Sequence, residues 1–298
     1  IEAFGLRIGR VMAKSLSLVA ALVLVASPAA TALAVGPRTR ISPRQVAVRM
    51  AWAEPEFSSA KVKEVKKSSS GRACEVIIEA SDDLISAYTK PGQFVQLRPS
   101  SDVKAGFFAI ASAPRSTPDG TLEFLIKETE STEWLTGASP GAAAEMCAPM
   151  GKGFDLSAIS AENPDASPCK NVAFCVAGTG VAPIRAIFES EEAMAAVKGS
   201  GRTAQLFYGA QDLDDLAFRE RFECWEQSGV QIVPVLSRAS DSFDGQKGYV
   251  QDALAKEGVL NTPSSSVIVL CGGKEMAESI KEFAASAGIP EDRILTNF

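Results

Sequence analysis

The second half of the chain alternates short apolar strands with helical segments, and this alternation restricts the fold more than any other feature. Parallel strands need a crossover connection, usually a helix, so strands that alternate with helices predict a parallel, doubly wound sheet. We therefore expect an α/β domain over residues 159–298. Its predicted strands are 172–177, 203–208, 230–236, 266–271 and the terminal ILTNF, and its predicted helices begin at 182 and span 214–226, 249–257 and 274–286.

The preceding hundred residues show a different pattern, in which short strands follow one another with few helices. Turn sequences such as Ser-Ser-Ser-Gly at 68–71 and Thr-Pro-Asp-Gly at 117–120 separate them. Regular short strands of this kind predict a small all-β antiparallel barrel, here over residues 58–158, with one short helix at 131–137. The predicted strands are 61–67, 73–80, 93–98, 106–112, 121–127 and 143–148.

Residues 1–57 have the composition of a targeting leader. The apolar stretch 15–35 is interrupted by Pro28, which favours a secretory-type signal with small residues near Ala32–Ala34, although a membrane anchor remains an alternative if the leader is not cleaved. The arginine-rich, acid-free stretch 36–53 has transit-peptide composition. Together the two stretches resemble the bipartite leaders of plastid proteins in algae with secondary plastids, which implies import into a plastid.

Charge and residue usage exclude several function classes. Residues 54–298 hold 23 basic and 35 acidic side chains, and an acidic body argues against a nucleic-acid partner. The chain has no histidine, which excludes Ser-His-Asp and Cys-His catalysis. Its six cysteines form no C-x-x-C pair and no recognisable metal or iron–sulfur motif, and we expect a reducing compartment. The chemistry must therefore come from a cofactor, carboxylates, lysines or thiols.

A glycine-containing turn follows the first strand of the α/β domain. Gly178, Thr179 and Gly180 precede the predicted helix, and Pro183 suits its first turn. Glycines at this position let backbone amides approach a phosphate, and a helix N-terminus favours an anion. A tight turn without a ligand would have the same sequence, so its context must decide between the two interpretations.

That context resembles the ferredoxin–NADP reductase superfamily, over roughly residues 58–298. In plant-type reductases a Ser-Arg pair and a Lys-x-Tyr-x-Gln stretch bind the 2′-phosphate and adenine of NADP, and a Cys-Gly pair lies beside the nicotinamide. The matching residues here are Ser237, Arg238, Lys247, Tyr249 and Gln251 for the phosphate and adenine, and Cys271 and Gly272 for the nicotinamide. Gln211 stands where many NADP-dependent relatives carry Arg, so NADH remains an alternative to NADPH.

The resemblance also implies an FAD site, although its signature is altered. The family's R-x-Y-[ST] reads Gly106-Phe107-Phe108-Ala109 here, so the pyrophosphate-binding Arg is absent, while Phe108 can still stack on a flavin ring. The family's terminal aromatic residue corresponds to Phe298, which the resemblance places over the flavin as a catalytic-site residue with Cys271. The other residues that the resemblance assigns to FAD are Ala109, Ile110, Ala111, Ser112, Lys127, Ser131 and Thr132.

The resulting hypothesis is a flavin-dependent NAD(P)H oxidoreductase that passes electrons between a nicotinamide nucleotide and a separate acceptor through FAD. No iron–sulfur segment is fused to the chain, so the acceptor is expected to be a small redox protein or a small molecule. The alternative hypothesis is a reductase-like protein that binds nucleotide, has a regulatory role and lacks flavin turnover. The altered flavin signature motivates this second interpretation.

Overall fold

The computed structural model describes residues 55–116, 120–160, 168–199, 201–258 and 261–297. Nearly all of the predicted leader and the terminal Phe298 lie outside these ranges, so the predictions made for them stay predictions. Within the described ranges, no helix combines the length and the apolar character that a membrane span requires.

The first six strands form one antiparallel sheet in the order β4-β3-β6-β1-β2-β5. Alternate residues of β2, namely Cys74, Val76 and Ile78, are fully buried, as expected for a sheet with one face on a core. A bridge between Ile110, just after β4, and Phe124 of β5 links the two edges and closes the sheet into a barrel. The strands are β1 (Phe57–Lys67), β2 (Ala73–Glu79), β3 (Phe94–Arg98), β4 (Gly106–Ala109), β5 (Thr121–Lys127) and β6 (Ala143–Cys147).

The last six strands form a parallel sheet in the order β10-β9-β8-β7-β11-β12. Its strands are β7 (Asn171–Ala177), β8 (Thr203–Ala210), β9 (Val230–Leu236), β10 (Gln246–Lys247), β11 (Ser266–Cys271) and β12 (Ile294–Leu295). The helices are α1 (Asp82–Ser86), α2 (Glu133–Thr136) and α3 (Ser157–Ser160) before this sheet, and α4 (Val181–Phe188), α5 (Glu191–Val197), α6 (Phe222–Gln227), α7 (Val250–Lys256) and α8 (Lys274–Ser286) among its strands.

Helices cover both faces of the parallel sheet. Phe174 and Val176 of β7 pack in one apolar cluster with α4 and α6, while Cys175 of the same strand packs in another with α7 and α8. The barrel and the sheet share part of the first cluster, because Leu125 of β5 and Val181 of α4 are both buried in it. The predicted fold class, an antiparallel barrel followed by a doubly wound parallel sheet, is confirmed.

Two predicted elements differ from the structure for local reasons. The helix predicted at 214–226 is replaced by two short 3₁₀ turns and α6, because the Asp212 carboxylate accepts hydrogen bonds from the Asp214 and Asp215 amides and Phe218 adopts a left-handed conformation. The strand predicted at 106–112 ends at Ala109, since the chain then turns toward β5 and the Ala111 amide bonds to Glu123. Helices α1, α3 and α5 and strand β10 were not predicted.

Candidate functional site

A cavity of about 760 Å³ lies at the carboxyl ends of the central parallel strands, where ligands bind in open α/β sheets. Its floor consists of the ends of β7, β8 and β9 and the starts of α7 and α8. The barrel contributes Arg72, Leu125 and Lys127 to the opposite wall. Five residues that the sequence analysis assigned to the nucleotide line this cavity, namely Gly178, Thr179, Ser237, Tyr249 and Gln251.

The glycine turn of this cavity is held in place from two sides. Gly178 has a φ of +53°, which favours glycine, and a Cβ on Gly180 would lie 2.4 Å from the Cys271 carbonyl oxygen. The buried Tyr208 hydroxyl donates to the Gly178 carbonyl at 3.3 Å and accepts from the Ala217 amide at 3.0 Å. Burial raises the pKa of Tyr208, so its hydroxyl remains a donor that ties the turn to β8.

The predicted 2′-phosphate residues are only partly brought together. Ser237 and Tyr249 line the cavity, and the Tyr249 side chain is well exposed to it. Arg238 is exposed beside the cavity, with its amide bonded to the Gln211 carbonyl at 2.8 Å. Lys247 instead donates to the carbonyls of Ser240 and Asp241 at 3.2 and 3.5 Å. Arg238 and Lys247 therefore flank the wall without forming it.

A second cavity of about 650 Å³ lies between the barrel and the parallel sheet. Phe94, Phe107, Phe108 and Ala109 form its barrel wall, and the Phe108 ring lies so close to Gly106 that a Cβ there would be 2.9 Å from it. The opposite wall comes from the turn and helix α4 and from the end of β11. The residues predicted from sequence that line this cavity are Phe108, Ala109, Lys127, Thr132, Thr179, Gly180, Pro183, Cys271 and Gly272.

Four residues predicted to bind FAD do not line either cavity. Ile110 and Ala111 are fully buried in apolar clusters, and Ser131 is exposed. Ser112 is also buried, where its hydroxyl accepts from the Glu123 amide at 3.2 Å and its carbonyl accepts from the Tyr88 hydroxyl. The side chains of Ile110, Ala111 and Ser112 are therefore buried in the protein and do not face a cavity.

Lys127 and Thr132 are positioned together at the end of β5. The Thr132 hydroxyl donates to the Lys127 carbonyl at 2.6 Å and accepts from the Thr129 amide at 2.9 Å, which fixes the chain between β5 and α2. Lys127 lines both cavities, so its ammonium is available to an anion in either. Among the described residues, Lys127 is the one cationic residue that lines both cavities.

Cys271 ends β11 beside the glycine turn. Its thiol is nearly fully buried, and burial raises the pKa of Cys271 to about 12. At physiological pH this thiol is protonated, so it contributes a neutral, polarizable wall to the second cavity and no thiolate nucleophile. The other residue predicted for the catalytic site, Phe298, lies outside the described residues.

Sequence reasoning missed Arg72, which reaches the first cavity from the turn between β1 and β2. Its guanidinium donates to the Gln211 side chain at 2.9 Å and to Asp212 at 2.8 Å, and it also pairs with Asp215. These partners lie about 140 positions further along the chain, and no local pattern connects such distant residues. A lone arginine after a serine-rich turn gave no signal of this contact.

Comparisons with known proteins agree with this geometry. Residues 174–282 match the family model of the oxidoreductase NAD-binding domain. The chain is 33% identical over 228 residues to the fruit protein pKIWI502 of Actinidia deliciosa, which covers 74% of this chain and 69% of that protein. It is 27% identical over 128 residues to NADH-cytochrome b5 reductase 1 of Eremothecium gossypii, covering 40% of this chain and 42% of that protein.

A solved structure shares the fold over both domains. It is a ferredoxin NADP+ reductase from Neisseria gonorrhoeae with bound FAD and NADP, and the TM-score is 0.64. The two chains are 20% identical, and the superposition covers 79% of this chain and 93% of that one. At this identity the likeness establishes the fold alone, and the function of the site depends on its own residues.

Proposed function

The chain belongs to the ferredoxin–NADP reductase superfamily as a flavin-dependent NAD(P)H oxidoreductase, and from this premise we propose that its first cavity binds NADPH and its second cavity binds FAD. The observation that carries the proposal is a wall common to both cavities, formed by Leu125, Lys127, Ala177, Thr179 and Gly273. Ligands in two cavities with a common wall lie next to each other, as hydride transfer between two cofactors requires.

The residues of the second cavity fit a flavin. Phe94 and Phe107 pack edge to face with ring centroids 5.8 Å apart, and together with Phe108 they provide an apolar, aromatic wall for a planar ring system. Lys127 and the Thr129 hydroxyl lie at the polar part of the same cavity and are suited to a pyrophosphate. Gly106 offers no charge there, so Lys127 is the cation that remains for this contact.

When bound, a flavin accepts a hydride from a nicotinamide and returns electrons singly or in pairs to an acceptor. The residues of this chain orient and enclose that exchange. The glycine turn brings its backbone into contact with Cys271, and Tyr208 holds the turn. The phenyl rings give the second cavity an apolar wall. The Cys271 thiol, protonated because of its raised pKa, adds no negative charge where hydride would move.

NADPH is the preferred nucleotide in this proposal, with NADH as the alternative. Ser237 and Tyr249 line the first cavity with a hydroxyl and an aromatic group, and the exposed Arg238 lies next to Ser237 in the chain, so these groups suit a 2′-phosphate and an adenine. The electron acceptor is a separate protein or small molecule. Relatives that the chain resembles include a reductase named for cytochrome b5, which supports a redox protein as one class of acceptor.

The visible absorption spectrum of the purified full chain tests this function. We expect flavin bands that bleach when NADPH is added under nitrogen, because hydride then passes to the flavin. An equal concentration of NADH is the matched comparison, and slower bleaching with NADH would support the preference for NADPH.

A second function, nucleotide binding without flavin turnover, is favoured by one observation. Gly106, Phe108 and Ala109 offer no polar side chain to a flavin along β4. A colourless protein that takes up no added FAD but still binds NADPH would support this regulatory function and contradict the oxidoreductase.

We also propose that residues 1–57 direct the protein to a plastid, on the leader composition alone. Residues 1–57 fused to a fluorescent protein are expected to bring the reporter into the plastid of an alga with a secondary plastid. A fusion that carries only 36–57, and so lacks the apolar stretch, is the control and is expected to stay outside. Cytosolic fluorescence of the complete fusion would contradict the proposal, and reporter retained in a membrane would favour an uncleaved anchor.

A further inference from the structure

Arg72 lines the first cavity from the barrel side, and acidic residues of the α/β domain pair with its positive charge. Its side chain is half exposed, and the opposing segment carries Asp212, Asp214 and Asp215. Arg72 pairs with the first and third of these carboxylates and also bonds to Gln211. The ion pairs therefore join the two domains at the rim of the cavity.

The bonds of Arg72 do not use its full donor capacity. A guanidinium carries five N–H groups, and three of them bond to Gln211, Asp212 and Asp215. The Nε–H and one Nη2–H have no partner among the described residues. Exposed ion pairs contribute little to stability, whereas the planar fork of Arg matches two phosphate oxygens at once. The side chain is thus able to exchange the exposed Asp212 carboxylate for a phosphate at small cost, while it keeps the Asp215 carboxylate, whose side chain is only 12% exposed.

Arg72 also lies where the phosphate groups of a nucleotide are expected. The Ala210 carbonyl accepts from the Ser237 amide at 3.0 Å, and the next carbonyl, of Gln211, accepts from the Arg238 amide at 2.8 Å. The Gln211 side chain, in turn, accepts from Arg72. The guanidinium therefore faces the junction of the ends of β8 and β9, and it lines the same cavity as Ser237 and the glycine turn.

We propose that Arg72, a residue of the barrel, binds a phosphate of the nucleotide that the α/β domain holds. Asp212 competes with this phosphate for the Arg72 guanidinium. The inference rests on the proposed function, since it requires a nucleotide in the first cavity. The phosphate is either the 2′-phosphate of NADPH or the pyrophosphate that NADPH and NADH share. In either case Arg72 of the barrel supplies the guanidinium that Gln211 of the α/β domain lacks.

Titration calorimetry of the full chain with NADPH and with NADH tests the proposal. Arg72→Ala is expected to weaken binding of the phosphate-bearing nucleotide about tenfold, because a charge-assisted contact is lost. A loss confined to NADPH assigns the contact to the 2′-phosphate, and an equal loss for both nucleotides assigns it to the pyrophosphate.

Asp212→Asn distinguishes a phosphate ligand from a purely structural link. Asparagine retains the acceptor that caps Asp214 and Asp215, but it removes the charge that competes for Arg72. We expect this variant to bind the same nucleotide about threefold more tightly. If Arg72 only joined the domains, breaking the pair from either side would change affinity in the same direction, and that result would overturn the inference.

Arg219→Ala is the matched control, because Arg219 is as exposed as Arg72 and contacts Asp214 of the same acidic segment without lining the cavity. Its affinities are expected to equal those of the wild type. Unchanged affinities in Arg72→Ala would also overturn the inference. Failure of the wild type to bind either nucleotide would instead contradict the proposed function itself.

Discussion

Replacing Arg185 with methionine is expected to lower the free energy of unfolding by about 3 kcal/mol, because removing one partner of a buried ion pair leaves the other charge unpaired. The Arg185 side chain is 3% exposed, and it bonds to Glu123 of β5 at 2.5 Å and to Glu189 at 3.0 Å. Its guanidinium also lies 4.7 Å from the centroid of the Phe218 ring. Urea unfolding followed by fluorescence and by circular dichroism measures the loss.

The location of this pair makes the expected effect more than local. Glu123 belongs to the barrel and Arg185 to helix α4, so the ion pair crosses the interface that forms the second cavity. Glu189 retains Arg221 at 2.9 Å in the variant, whereas Glu123 loses its ion-pair partner. We therefore expect the barrel and the α/β domain to separate more easily in the variant.

Arg219→Met is the matched control for Arg185. Arg219 is half exposed and its nearest carboxylate oxygen, on Asp214, is 4.0 Å away, so its loss is expected to cost less than about 1 kcal/mol. Equal losses in the two variants would contradict a special role for the buried pair.

The fold was predictable because its signals are local. The strands β7, β8, β9 and β11 are short apolar runs with turns and helices between them, and this alternation of strands with helices predicts a parallel sheet. The helix predicted at 214–226 failed for an equally local reason, since the Asp212 cap and the left-handed Phe218 interrupt it. Apolar spacing reports where a helix is able to form, and it does not report a side chain that caps a turn instead.

The site was predictable only where backbone geometry determines it. The glycine turn, Ser237 and Tyr249 lie on a cavity wall because strand ends in such a sheet converge at one edge. Ile110, Ala111 and Ser112 were assigned to FAD by motif position, but β4 ends before them and their side chains are buried away from both cavities. Arg72 and the pair of Arg185 with Glu123 depend on long-range contacts, which leave no trace in a single sequence.

Gly180→Ala is expected to destabilise the fold by about 2 kcal/mol and to weaken nucleotide binding at least about tenfold. A Cβ at this position would lie 2.4 Å from the Cys271 carbonyl oxygen and 2.8 Å from its carbonyl carbon. Both are backbone atoms of a buried strand, so they are unable to move aside as a flexible side chain does. The turn must instead shift away from β11, which displaces Thr179 from the wall common to both cavities. Urea unfolding and calorimetric titration with NADPH measure the two effects.

Two neighbouring glycines separate this steric effect from backbone strain. Gly178→Ala places its Cβ in open space but forces alanine to a φ of +53°, so a loss of about 1 kcal/mol is expected from the left-handed conformation alone. Gly273→Ala has neither a close contact nor a positive φ, and it is expected to match the wild type in urea unfolding. If Gly180→Ala lost no more affinity than Gly178→Ala, close approach of the turn to β11 would not be what positions the nucleotide. A loss of nucleotide affinity in Gly180→Ala alone would mean that the close approach of the turn to β11 positions the nucleotide. Only glycine permits this approach, because a Cβ on residue 180 would lie 2.4 Å from the Cys271 carbonyl oxygen.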